Sequence, residues 1–141
     1  MTITIKNFQK LIPINPKKVK SAILSLLREE GINSAEITAS FTTGARIREL
    51  NRKFHQTDCY TDVLAFDLGG PAGKDIFGDI VVSADAAIDN AGIYKTSPAY
   101  ELQLYVLHGL LHLLGYDDKT AGQSKIMGKK AEEILTKYAY S

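Results

Sequence analysis

A single cysteine, Cys59, in 141 residues excludes an internal disulfide and fits a reducing cytosol. Long hydrophobic runs are missing as well. The most apolar stretch, Leu102 to Leu114, is broken by Gln103, His108, Gly109 and His112, and is too short and too polar to span a bilayer. The opening residues, MTITIKNFQK, lack the apolar core of a signal peptide. These absences predict a cytoplasmic protein with no membrane partner. Charge of one sign is also lacking. The formal net charge is +1, so any nucleic-acid contact must come from local clusters of Lys and Arg.

What is present reads as one globular domain, residues 1–141, with 45% hydrophobic and 23% charged residues. No repeat, low-complexity tract or linker divides it. TITIKN alternates as a half-buried strand does. From Pro16 to Gly31, Val19, Ala22, Ile23, Leu26 and Leu27 recur at helical spacing, with proline at the first turn and glycine at the stop. SAEITASFT (34–42) predicts a strand with Ala35, Ile37, Ala39 and Phe41 on one face. Thr42 or Thr43 caps a helix to about His55, whose expected buried stripe is Ile47, Leu50 and Phe54. TDVLAFDL (61–68) and GDIVVS (78–83) are strands around the loop GGPAGKD, the second apolar enough for the sheet interior. A short helix runs from Ser83 or Ala84 towards Gly92, a long one from Ser97–Pro98 to near Gly115, and a last one from Ser124 to Tyr138. The order β-α-β-α-β-β-α-α-α predicts one sheet with helices on its faces.

The chemistry concentrates in HGLLHLLGYDD, residues 108–118. Residues four apart on a helix share a face, so His108 and His112 can converge on one metal ion. Glu101, a heptad earlier on the same stripe, is either a partner supporting the imidazoles or an exposed residue of the helix start. Leucines and valine surround the stripe, which predicts a central, buried helix in which two polar rings need partners. Gly115 can take the left-handed conformation that ends a helix, which lets Asp118 return towards the imidazoles. Two nitrogens and one carboxylate oxygen leave an open tetrahedral position, as in a catalytic zinc site. The other reading makes both histidines hydrogen-bonded core residues and the aspartates caps of the final helix. One absence narrows the chemistry. Gly109 follows His108 where HExxH zinc peptidases carry their general base, so peptide hydrolysis by that route lacks its proton acceptor.

At these residues the sequence resembles the YbeY family, bacterial single-strand-specific endoribonucleases of ribosomal RNA maturation. The family signature H-G-x-L-H-L-x-G-Y-D-H is matched by HGLLHLLGYDD. RELNRKF with TDVLAFD is similar to its LN-x-x-Y-R…T-D-V-L-S-F segment, and GDIVVS to its G-D-I-x-I-S strand. The resemblance implies an α+β fold with a small mixed four-stranded sheet packed with about five helices. It also implies one zinc ion held by three residues, RNA as substrate and a role in ribosome quality control, with small-subunit ribosomal proteins as possible partners. His108 and His112 match the first two metal ligands. Asp118 stands where the third is histidine, and His55 stands where the family has an arginine thought to act in catalysis.

Asp118 is a competent zinc ligand, but an anionic one leaves bound water less acidic than a third histidine does. His55 offers at most two donors in place of a permanently charged fork. Its possible roles are a phosphate contact or general acid, an additional metal ligand, or a solvated helix-end residue. Cys59 is close enough in sequence to be considered as a ligand, though a small buried or loop cysteine is the stronger expectation. Arg46, Arg48, Arg52 and Lys53 crowd one helix, and Lys17, Lys18 and Lys20 another. They either follow a phosphate backbone or form solvated faces diluted by Glu29, Glu30 and Glu49. Nickel, cobalt and iron(II) suit the same ligand set as zinc. The rival functions are a ribosome- or RNA-binding module of the same fold that cuts poorly, and a hydrolase for another small substrate.

Overall fold

A computed structural model describes residues 1–55, 61–69 and 76–139, with the side chains of His55, Tyr138 and Ala139 outside that description. Four strands, β1 (Thr2–Asn7), β2 (Ala35–Thr42), β3 (Val63–Asp67) and β4 (Ile76–Ser83), form one mixed sheet in the order β1-β2-β4-β3. β1 and β4 flank β2 in parallel, and β3 closes the edge antiparallel to β4 with Val63 opposite Val82 and Ala65 opposite Ile80. Five helices accompany them: α1 (Pro16–Glu29), α2 (Gly44–His55), α3 (Ala84–Tyr94), α4 (Pro98–Leu113) and α5 (Ala121–Ile134), the last running into a π-helical turn over Leu135–Ala139. The predicted element order and the α+β architecture are both found.

Strand alternation decides which face is core. Ala35, Ile37, Ala39 and Phe41 of β2, as predicted, and Ile80 and Val82 of β4 are fully buried against α1 and α4. β4 lies inside the sheet, as its apolar run predicts. α4 is the central helix, packed on α1, α3, α5 and the β3–β4 edge. It comes close because it carries glycine where it crosses the sheet: a Cβ on Gly109 would sit 2.7 Å from Ile80 Cγ2 and 3.1 Å from Val63 Cγ2. Gly109 is therefore a packing residue, which is a second reason that no general base stands there.

Helix ends follow from local chemistry. Asn15 caps α1, and Gly31, at φ +74°, turns the chain after it. Ser97 caps α4 by accepting from Tyr100 N at 3.1 Å, with Pro98 in the first turn. Two expectations need correction. α5 begins at Ala121, because Thr120 and Gln123 form a reciprocal capping box with bonds of 3.1 and 3.2 Å, so the start expected at Ser124 is three residues late. In α2 Gly44, Ile47 and Asn51 are buried and Leu50 is half-buried, while Phe54 is 58% exposed. That helix packs on β3 and β4, where Phe54 meets Phe66 edge-to-face at 5.8 Å, and among the described residues no core covers its outer side. Among the described residues no helix is long and apolar enough to cross a membrane.

Candidate functional site

The C-terminus of α4 builds the site. Gly115 N bonds His112 O at 3.1 Å and Tyr116 N bonds Leu111 O at 3.0 Å, closing a Schellman motif with Gly115 at φ +100°. The predicted glycine turn is present, and it carries Asp118 back over the helix end. His112 Nε2 and Asp118 Oδ2 are 3.6 Å apart, longer than a hydrogen bond. Two donors on one tetrahedral zinc, with bonds near 2.0–2.1 Å, sit about 3.3 Å from each other.

His108, His112 and Asp118 all line one cavity of about 240 Å³, together with Asp62, Val63 and Ala65 from the β3 edge and Met127 from α5. The three are arranged as a pair plus one. Among the described residues, no three His, Cys, Asp or Glu side chains are already gathered closely enough to hold an ion. His108 supplies the observation that discriminates. Its Nε2 is buried and has no hydrogen-bond partner among the described residues. An unmet polar atom costs about 1–3 kcal/mol, so a buried ring left in this state beside a His–Asp pair has donors of the kind a divalent ion takes.

Burial pushes the His108 imidazole below its ordinary value, with the nearby His112 adding to the depression and Asp62 the first of the carboxylates opposing it. The ring is therefore neutral near pH 7, the protonation state a metal requires. The sign of the resulting pH dependence follows from linkage. With the folded value below the unfolded one, near 6.5, the unfolded chain binds more protons between the two. This contribution is complete above about pH 6.5 and is lost as pH falls from there towards the folded value. Metal-free protein is expected to show a lower urea midpoint at pH 5.5 than at pH 8, and His108→Gln a smaller drop. Equal drops in both proteins would remove His108 as the cause.

Two expectations about neighbours are corrected. Glu101 neither supports the imidazoles nor sits exposed. It is 3% exposed and accepts from Thr96 Oγ1 at 2.9 Å and Tyr105 hydroxyl at 3.5 Å, which fastens the start of α4 towards α3. No aspartate caps the final helix, since Thr120 does, so that alternative role for Asp118 is gone. His55 ends α2 with its side chain outside the described residues, where Cys59 and the GGPAGKD loop from Gly70 onward also lie. Arg46 is paired with Glu49 at 3.1 Å on an exposed face.

Sequence reasoning missed Asp62. It falls in the expected strand TDVLAFDL, but only the fold places it just before β3, on the border of the histidine cavity. Asp62 also borders a larger cavity, about 600 Å³, with Asp85 and Asp89. Three carboxylates make that larger hollow a poor seat for an anion, whereas the histidine cavity sets two imidazoles beside its two carboxylates.

A family model described as Endoribonuclease YbeY matches residues 4–139. The chain belongs to the YbeY family. Relatives named Endoribonuclease YbeY include one from Geobacillus thermodenitrificans, 33% identical over 98% of this chain and 97% of the relative. Another, from Alkaliphilus metalliredigens, is 34% identical over 96% and 94%. A third, from Clostridioides difficile, is 37% identical over 86% and 84%. The solution structure of TM1509 from Thermotoga maritima matches with a TM-score of 0.65 and 26% identity, over 96% of this chain and 90% of that one. Membership in the YbeY family agrees with the resemblance that begins at HGLLHLLGYDD.

Proposed function

We propose that this protein is a cytoplasmic, metal-dependent endoribonuclease that cuts single-stranded RNA in ribosomal RNA maturation and ribosome quality control. Family membership supports the RNA-cutting part, since the relatives carry that name. The observation that carries the metal part is the buried Nε2 of His108, unpartnered among the described residues, in a cavity shared with His112 and Asp118. These three side chains would hold one divalent ion, zinc first by ligand type. When bound, such an ion polarises a phosphoryl oxygen and makes water a better nucleophile at neutral pH.

The rest falls to the chain's own groups. Asp62, on the same cavity, is placed to accept the proton of an attacking water. His55, in the position of the family arginine, contacts phosphate or returns the proton to the leaving oxygen. Single-stranded substrate fits a cavity at an open sheet edge better than a stiff duplex does. Phe54, exposed beside Phe66 with the Lys53 ammonium 5.4 Å from its ring centroid, offers a base a stacking surface and the backbone a cation. Phe54→Ala is expected to weaken single-strand binding by about 1–3 kcal/mol and leave duplex binding unchanged, as read by fluorescence anisotropy. Small-subunit ribosomal proteins are proposed partners.

A second reading has specific support. Asp118 in place of a third histidine and the pair-plus-one arrangement both favour a ribosome- or RNA-binding module with weak or lost catalysis. The deciding assay uses a ribosomal RNA fragment with chelator-treated protein, before and after stoichiometric Zn²⁺. Cutting restored by the ion supports the enzyme. RNA binding without cutting in either state supports the module.

A further inference from the structure

Asp118 lies on an exposed bend, its carboxylate 56% exposed, so the fold must place it through the backbone on either side. After it, Thr120 caps α5. Before it, Tyr116 is fixed at both ends. Its N–H closes the Schellman motif on Leu111 O at 3.0 Å, and its hydroxyl donates to Glu30 Oε1 at 2.5 Å, across 86 residues of sequence. Lys130 of α5 reaches the other oxygen of Glu30 at 3.4 Å and sits 5.4 Å from the Tyr116 ring centroid. Glu30 is only 19% exposed in its side chain, so this charged network is shielded on the side where the C-terminus of α1 meets α5.

Neither a core position nor a helix cap needs this arrangement. Tyr116 could pack as phenylalanine, and the glycine turn closes through backbone bonds alone. What the hydroxyl adds is a tether from the Gly115–Asp118 bend to two helices, α1 and α5. We propose that Tyr116, held by Glu30 and Lys130, is a positioning residue that sets Asp118 beside His112 and thereby fixes the affinity of the site for its ion. This rests on the ion site proposed above.

The test is zinc affinity by competition with a chromophoric chelator, with Co²⁺ absorption as the signature of coordination geometry. Tyr116→Phe is expected to lower affinity about 10-fold or more, the scale on which partners of metal ligands act. Its Co²⁺ bands should weaken towards those of Asp118→Ala. Glu30→Gln, which keeps an acceptor for the hydroxyl, should stay within about 3-fold of wild type, and Glu30→Ala should match Tyr116→Phe. In an Asp118→Ala background, Tyr116→Phe should cost nothing more, because the carboxylate it positions is gone.

An unchanged affinity in a wild-type-like fold overturns the proposal while leaving the ion site intact. A loss of equal size in the Asp118→Ala background also overturns it, because the tyrosine would then act through the fold at large. If wild type binds neither Zn²⁺ nor Co²⁺ through His108 and His112, the ion site itself fails and this inference with it. Should Tyr116→Phe not fold, the Glu30 pair carries the same comparison.

Discussion

Replacing His112 with alanine is expected to abolish binding of the proposed ion and reduce cutting of single-stranded RNA to background. His112 is about one third exposed and lies within reach of Asp118, so its loss removes one donor and releases the partner of another. Zinc affinity should fall by more than about 100-fold, the upper end of what losing a mere supporting partner costs. Binding of the RNA strand should change much less than cutting, because in the proposed site most phosphate contacts fall to side chains other than the ion's ligands. The metal-free fold should shift by about 1 kcal/mol or less, since the ring is partly exposed and outside the buried core cluster. Elemental analysis, a chelator titration and a cleavage assay on the same preparations separate these effects. Full metal content with undiminished cutting in His112→Ala would falsify the proposed site.

The second large effect concerns stability. Gly109→Glu writes the peptidase string HExxH into α4, yet the expected result is a damaged fold and no peptidase. The new Cβ meets Ile80 Cγ2 at 2.7 Å and Val63 Cγ2 at 3.1 Å. Both neighbours are β-branched and stiff at χ1, so neither turns aside cheaply. Forcing atoms into such a core costs about 1–3 kcal/mol, and a carboxylate at a buried position without a partner adds more. Helix propensity returns at most about 1 kcal/mol. The net loss should reach about 3 kcal/mol or more, a large share of a typical domain's stability. Urea unfolding of Gly109→Ala and Gly109→Glu measures it. A wild-type midpoint in the glutamate variant would mean that α4 does not lie this close to the sheet.

Asp118 and Glu101 show how far sequence reasoning reaches into the site. The glycine turn was legible because a residue with φ +100° is a local demand that glycine meets. The return of Asp118 towards His112 was legible for the same reason, being only six residues away. Glu101 shares the histidine stripe by spacing, yet its carboxylate goes to Thr96 and Tyr105, because periodicity gives azimuth and not what lies opposite. Phe54 fails likewise: its spacing continues the apolar stripe of α2, but the sheet ends at β3, and among the described residues the ring finds only the edge of Phe66 and stays 58% exposed. Asp62 and the Glu30–Tyr116 bond were invisible because each depends on segments far apart in the chain.

By itself the sequence determined the order of strands and helices, the buried face of β2, the central place of α4 and the pairing of two imidazoles on one helical face. All of these follow from periodicity and from turn residues acting within a few positions. Only the tertiary structure decided which carboxylates border the histidine cavity, why glycine must follow His108, and what anchors the bend that carries Asp118. Those contacts join segments separated by tens of residues, and their partners are chosen by packing and burial, which no local pattern encodes.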